Sequence, residues 1–333
     1  MPHRWTRRQL VQGAGAVSLG LLAGCGRLPF AVPLPATKVH RIAYLTPGSL
    51  TPETEVLASA FRQGLADLNY AEGQNLLIEQ RYASGIDQLA EPVADLVRLK
   101  PEIIVVASAQ AARAVRAATT TIPIVSAGAG DLVALGLAAS YARPGGTVTG
   151  LSTPELSGKR LQLLQEVVPT LARVAVLFDT PYLEFSREHY EAAARTLGLQ
   201  LQWVGTDVRE GWEAAFDAVL REHPDGLVLA SGPAIGSHQP RLAELALQNR
   251  LPSMWGQSDA VGRGGLMAYA PNRASMYRRA AYYVDRILKG AKPADLPVEQ
   301  PREFDFIINA KTAHALGLTI PPHVLLQATE VIQ

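Results

Sequence analysis

The sequence predicts an α/β protein of two lobes, each an open parallel sheet covered by helices on both faces, with several chain crossings between the lobes. Three observations predict it. Short apolar runs alternate with segments of helical spacing along most of the 333 residues. The run Ile103–Ala107 is apolar without a break, as strands are when both faces of a parallel sheet are covered. The whole alternation is carried out twice, once up to Leu151 and again from Lys159 onward.

The chain opens on a segment that reads as an export leader. Met1–Gly24 contains no acid, carries Arg4, Arg7 and Arg8 early, and then runs through Val17, Leu19, Leu21 and Leu22. The apolar stretch is shorter than the roughly 20 residues of a spanning helix and is diluted by Gly13, Gly15 and Gly20. Thr6-Arg7-Arg8-Gln9-Leu10-Val11 looks like a twin-arginine motif. Leu22-Ala23-Gly24-Cys25 reads as a lipobox, so residues 1–24 are expected to be removed and Cys25, the only cysteine, to be lipidated and hold the protein on a membrane. Residues 25–39, with Pro29, Pro33 and Pro35, read as a tether.

The fold is expected to begin with a strand at Arg41–Leu45, ended by Thr46-Pro47-Gly48-Ser49. Val56, Leu57, Ala60, Phe61, Leu65 and Leu68 mark one face of a helix at about 54–69. Strands follow at 76–82, 103–107, 124–127 and 148–151, with helices at 88–99, 111–118 and 132–141 between them. The second round places helices at 159–168, 187–197, 213–221 and 241–249, and strands at 174–178, 199–204, 227–230 and 253–255. A run at 266–269, a long helix at 274–288, a proline-marked connection at 292–301 and a strand at 304–308 complete the pattern.

Without the leader the formal charge, +1 for the whole chain, turns slightly negative, so no basic surface argues for a nucleic-acid partner. Enzyme signatures are missing too. Gly128-Ala129-Gly130 follows a strand but lacks the third spaced glycine of a dinucleotide site. No phosphate loop, nucleophile elbow or His-Glu-x-x-His occurs, and the seven histidines never adopt ligand spacing. The reading is therefore of a binder without cofactor or metal.

Several segments carry a resemblance to a known family: Gly130-Asp131 running to Ala142-Arg143-Pro144-Gly145-Gly146, Thr149-Gly150-Leu151-Ser152, Gly264-Gly265-Leu266-Met267-Ala268-Tyr269, and above all Arg278–Gly290 with Lys292–Pro301. Over about residues 40–330 the sequence resembles the bacterial ABC transporter substrate-binding lipoproteins of the tryptophan- and tyrosine-binding type, a branch of the type I periplasmic binding fold. The resemblance implies two doubly wound parallel-sheet lobes joined by a three-crossing hinge. Lobe one would be 40–150 plus 271–297, and lobe two 151–270 plus 298–333. The hinge would be Ser152–Pro154, Tyr269–Asn272 and Pro297–Pro301. It also implies a small-molecule ligand, an ABC permease with its ATPase as partner, and a monomer. A ligand-sensing module for a membrane signalling protein is the alternative.

In doubly wound sheets ligands sit beyond the carboxyl ends of the strands, where loops lead into helix N-termini. That rule selects Thr46 and Ser49, Ser108, Ala109 and Gln110, and Ala127, Gly128 and Asp131 in lobe one. In lobe two it selects Asp179, Tyr182, Ser231, Trp255 and Asp259, with Tyr269 at the crossing. Ser108 suits a carboxylate acceptor, or else an ordinary N-cap. Asp259 is the first choice for a ligand ammonium, with Asp131 and Asp179 as rivals that read equally well as caps. Many family members carry Asn-Pro where this chain has Asp179-Thr180-Pro181. Tyr44, Tyr182, Trp255 and Tyr269 are candidate aromatic walls, Tyr44 with a core position as its alternative.

Overall fold

The computed structural model describes residues 38–47, 51–83, 88–179, 186–206, 212–230 and 232–333. The leader, Cys25 and nearly all of the tether lie outside them, as do Ser49, Tyr182 and Ser231. Residues 39–333 form one compact unit.

The first half of the chain supplies β1 (His40–Pro47), α1 (Pro52–Asp67), β2 (Leu76–Ala83), α2 (Ala90–Arg98), β3 (Ile103–Val106), α3 (Ala109–Ala118), β4 (Ile124–Ala127) and β5 (Val148–Leu151). The strands make one parallel sheet in the order β2-β1-β3-β4-β5. Alternation of side chains along a strand sorts its residues between two cores. Ile42, Tyr44, Ile103 and Val105 face α1 and a later helix, α9 (Arg273–Leu288), whereas Ala43, Leu45, Ile104 and Val106 face α2 and α3. Both faces are covered, which is why β3, Ile103–Val106, contains no polar residue.

The second half supplies α4 (Ser157–Val167), β6 (Arg173–Asp179), α5 (Arg187–Leu197), β7 (Gln200–Thr206), α6 (Trp212–Leu220), β8 (Gly226–Leu229), α7 (Pro233–Ser237), α8 (Gln239–Gln248), β9 (Ser253–Trp255) and β10 (Met267–Pro271). After α9 come β11 (Phe304–Asn309), α10 (Ala310–Ala315), α11 (Pro322–Leu325) and β12 (Glu330–Ile332). The second sheet has the order β12-β11-β10-β9-β8-β6-β7. Its pairs are parallel except β10 with β11. Val174 and Val176 pack with α4 and α5, and Ala175 and Leu177 with α6 and α8.

The chain passes between the two sheets three times: from β5 to α4, from β10 to α9, and along 296–304 into β11. The third passage is pinned to the first. Glu299 N donates to Gly150 O (3.0 Å) and Ser152 N to Glu299 O (2.8 Å). Arg279 of α9 grips the Glu299 carboxylate with two bonds, of 3.0 and 2.7 Å. That grip is the main reason the Glu299 carboxyl titrates below the ordinary range. The expected α/β class, two doubly wound sheets and three crossings are all present.

One expected helix is absent. Residues 132–141 form successive turns: Leu137 and Ala138 N–H both donate to Leu132 O, Gly136 takes φ +65°, and Ala139 N donates to Pro144 O. The apolar spacing there serves to bury Leu132, Leu135, Leu137 and Ala138 against α3, which a turn with a left-handed glycine does as well as a helix.

Candidate functional site

Thr46, Ser108 and Ala127–Gly128 stand at the carboxyl ends of β1, β3 and β4, and Asp179 and Trp255 end β6 and β9. The first three belong to the five-stranded sheet, the first wall, and the other two to the seven-stranded sheet, the second wall; three crossings join the two sheets.

On the first wall, Thr46 is buried and its hydroxyl accepts from Gln80 Nε2 (3.4 Å). Ser108 is half-buried and caps α3, its Oγ accepting from Ala111 N (3.1 Å). The cap uses a lone pair and leaves the hydroxyl proton and the N–H groups of Ala109 and Gln110 at the helix start. Gln110 Oε1 is sealed from solvent without a hydrogen-bond partner. Behind this row Ser126 Oγ donates to Leu151 O (2.6 Å) and accepts from Gly128 N and Ala129 N (3.1 and 2.9 Å). Only a glycine at 150 permits so close an approach, since a Cβ there would lie 2.4 Å from Ser126 O and the backbone has φ +115°. Ser126 was no sequence candidate, because a serine inside an apolar run carries no local signal.

Asp131 belongs to the loop it starts. Oδ1 accepts from Val133 N and Ala134 N (3.0 and 3.1 Å), and Oδ2 from the Tyr141 hydroxyl (2.8 Å). Three donors satisfy this carboxylate, so of the two readings open to it the cap is the one its geometry matches.

On the second wall, Asp179 is buried and each of its oxygens accepts a backbone N–H at the start of α7, from Ala234 (2.7 Å) and Ile235 (3.2 Å). Burial raises its carboxyl above the ordinary range, and those two bonds pull the other way. Gly232 makes room for it: a Cβ there would fall on the carboxylate. Trp255 is a correction. It is 0% exposed, sits among Leu227, Leu229, Val261 and Ala268, and donates Nε1–H to Ser253 Oγ (3.0 Å), so it is core and not wall. Tyr44 takes its core alternative, stacked on Phe61 at 5.6 Å. Tyr269 is half-buried and stacks on Phe304 at 5.7 Å, one ring face already used.

Asp259 lies in a 3-10 turn, Ser258–Arg263, that follows β9. It is exposed, with Oδ1 accepting from Gln239 Nε2 (3.2 Å) and Oδ2 3.9 Å from Arg263. Gln239 is 1% exposed and also donates to Gln257 Oε1 (2.8 Å), so an amide ladder fixes the acid. Arg263 reaches the other way, to Glu53 at the start of α1. This ion pair joins the turn after β9 to the start of α1. Neither Gln239 nor Arg263 was a sequence candidate, since each looks like a solvated polar position on its own short helix.

Among the described residues no group of three or more His, Cys, Asp or Glu could hold a metal ion, and no helix is long and apolar enough to cross a membrane. A family model for ABC transporter substrate binding proteins matches residues 52–332. The chain belongs to that family. A tyrosine-binding protein of Clostridioides difficile (strain R20291) is 24% identical over 270 residues, 80% of this chain and 78% of that one. A Streptococcus pneumonia ABC domain solved in complex with L-Trp superposes with a TM-score of 0.82 at 23% identity, over 89% of this chain and 100% of the other. The ligand-free, open structure of a Clostridium difficile substrate binding protein gives 0.67 at 22% identity, over 89% and 100%. As a substrate-binding protein of ABC transport, the chain acts outside the cytoplasm on small molecules, and its relatives are binders, not enzymes.

Proposed function

We propose that the chain captures an amino acid or a related carboxylate between the two walls and hands it to the permease and ATPase of an ABC importer. The observation that carries this reading is the three-stranded connection between two rows of strand ends, which lets the walls rotate together without refolding. Residues 40–150 with 271–297, and 151–270 with 298–333, act as the two moving bodies. A ligand touching both walls only when they meet shifts the protein toward the closed form.

Ser108 and the free N–H groups of Ala109 and Gln110 receive carboxylate oxygens, with Thr46, Ser49, Ala127 and Gly128 shaping that wall. Asp259, held by Gln239, matches the ligand ammonium, and Tyr182, Ser231 and Tyr269 shape the opposite wall. The relatives' ligands, tyrosine and L-Trp, support an amino acid. The leader takes the chain out, and lipidated Cys25 keeps a monomer on the membrane beside its permease.

A thermal-shift screen of the chain without its leader, against amino acids, sugars, nucleosides and small acids, tests the reading. Amino acids are expected to raise the melting temperature and the other classes to leave it unchanged. Stabilisation by sugars or nucleosides alone would refute the amino-acid assignment. Exchange of Cys25 for alanine is expected to abolish incorporation of labelled fatty acid.

A further inference from the structure

Arg160 stands on α4, just past the first crossing, and is 8% exposed. A guanidinium stays charged at every ordinary pH, so burying it without a counter-charge is costly. Among the described residues no carboxylate lies within 4.0 Å of it. Glu155, the acid nearest along the chain, turns its Oε1 to Leu156 N and Ser157 N.

The side chain is aimed with two of its five N–H donors. Nε donates to Tyr269 O (2.9 Å), at the second crossing, and Nη2 to Gly256 O (3.4 Å), just past the carboxyl end of β9. Nη1 has no acceptor in hydrogen-bond geometry among the described residues. The Tyr190 hydroxyl is buried beside the same guanidinium: burial raises its pKa, and the charge and N–H groups of Arg160 work against that rise. The segment Gly256–Asp259 therefore runs from a buried cation with no carboxylate partner among the described residues to an exposed acid. Such a pair of charges suits a zwitterion, carboxylate at one end and ammonium at the other.

We propose that Arg160 anchors the ligand carboxylate from the second wall, so that the anion is gripped from both sides when the walls meet. The inference rests on the capture reading and specifies its ligand as a carboxylate. Two carbonyl bonds hold the fork in place before a ligand arrives, which lowers the ordering needed on binding. Ser108 on the first wall leaves room for this role, since it offers neutral donors and no charge.

The test is calorimetric, on the chain without its leader, with four probes: L-tryptophan, L-tyrosine, and the corresponding amines tryptamine and tyramine. The parent protein is expected to prefer the acids. Arg160→Met is expected to weaken the acids at least about thirtyfold, the lower range for removing one partner of a desolvated charge pair, and to leave the amines unchanged. Arg160→Lys keeps the charge but loses the fork, and is expected to fall between. Equal acid affinity in Arg160→Met and parent overturns the proposal while the capture reading stands. Equal weakening of acids and amines also overturns it, because it makes Arg160 a strut between backbone carbonyls. Binding of none of the four by the parent overturns the amino-acid reading itself.

Discussion

Replacing Asp179 with alanine separates a cap from a ligand group. The carboxylate accepts from Ala234 N and Ile235 N, and Ile235 is 1% exposed. Asp179 bonds the start of α7 from the end of β6, standing in for a cap that the N-cap residue Gly232 cannot supply; loss of a cap costs about 0.5–2 kcal/mol, and a buried donor left without an acceptor about 1–3 kcal/mol. Removing a carboxyl whose ionised form is disfavoured by burial offsets part of this. The expected net loss is about 2 kcal/mol, a fall in melting temperature of roughly 4 °C or somewhat more. Asp179→Asn keeps one acceptor and should lose less than about 1 kcal/mol. The pH dependence has a definite sign. With its folded value raised above 3.8, Asp179 holds its proton in the native state to higher pH than in the unfolded chain. Its contribution is therefore greatest below the unfolded value and declines as pH rises to the folded one, a decline that Asp179→Asn lacks. Urea unfolding over pH 3 to 8, paired with ligand titration, reads both effects. Unchanged stability together with lost ligand affinity would refute the cap and make Asp179 a ligand group.

Three further outcomes are expected. Trp255→Phe should cost about 1–2 kcal/mol, from a small cavity and the lost bond to Ser253, and leave the order of ligand preference as in the parent; a changed order would return Trp255 to the binding wall. Glu53→Gln and Arg263→Met should each weaken binding roughly two- to fivefold, the span of a half-exposed ion pair, and the double variant no more than either; additive losses in titration would show that the pair does not couple the walls. Glu299, its carboxyl held below 4.5 mainly by Arg279, contributes stability above its unfolded value that is lost as pH falls through its lower folded one; Glu299→Gln should therefore show a shallower acid limb in thermal melts, by about 1 kcal/mol or less.

The strands were legible because burial on both faces writes itself as uninterrupted apolar runs, as at Ile103–Val106 and Val174–Leu177. The same code misleads where apolar residues pack from a loop, as at 132–141, and where a terminal aromatic keeps the inward phase of its strand, as Trp255 does. The closing elements α10, α11 and β12 are three to six residues each, shorter than any periodicity can register. The antiparallel β10/β11 pair follows from the third crossing returning to the second sheet beside β10, which no local pattern encodes. Among the described residues the strand-end rule picks positions near strand ends, yet it does not distinguish a cap from a ligand contact: the oxygens of Asp179 are occupied by backbone donors, and those of Asp131 by backbone donors and the Tyr141 hydroxyl. Arg160 was invisible for the opposite reason. In Lys159-Arg160 a charge on a helix reads as a solvated face, and only tertiary packing of α4 against β9 and β10 buries it.

The central claim is capture of a small carboxylate between two walls, and isothermal titration of the chain without its leader, with L-tryptophan and L-tyrosine at several temperatures, tests it most directly. The account predicts one site per chain, micromolar or tighter, near −8 kcal/mol, with a negative heat-capacity change from the apolar surface buried on closure. Heats no larger than dilution with both amino acids, at every temperature, would contradict it.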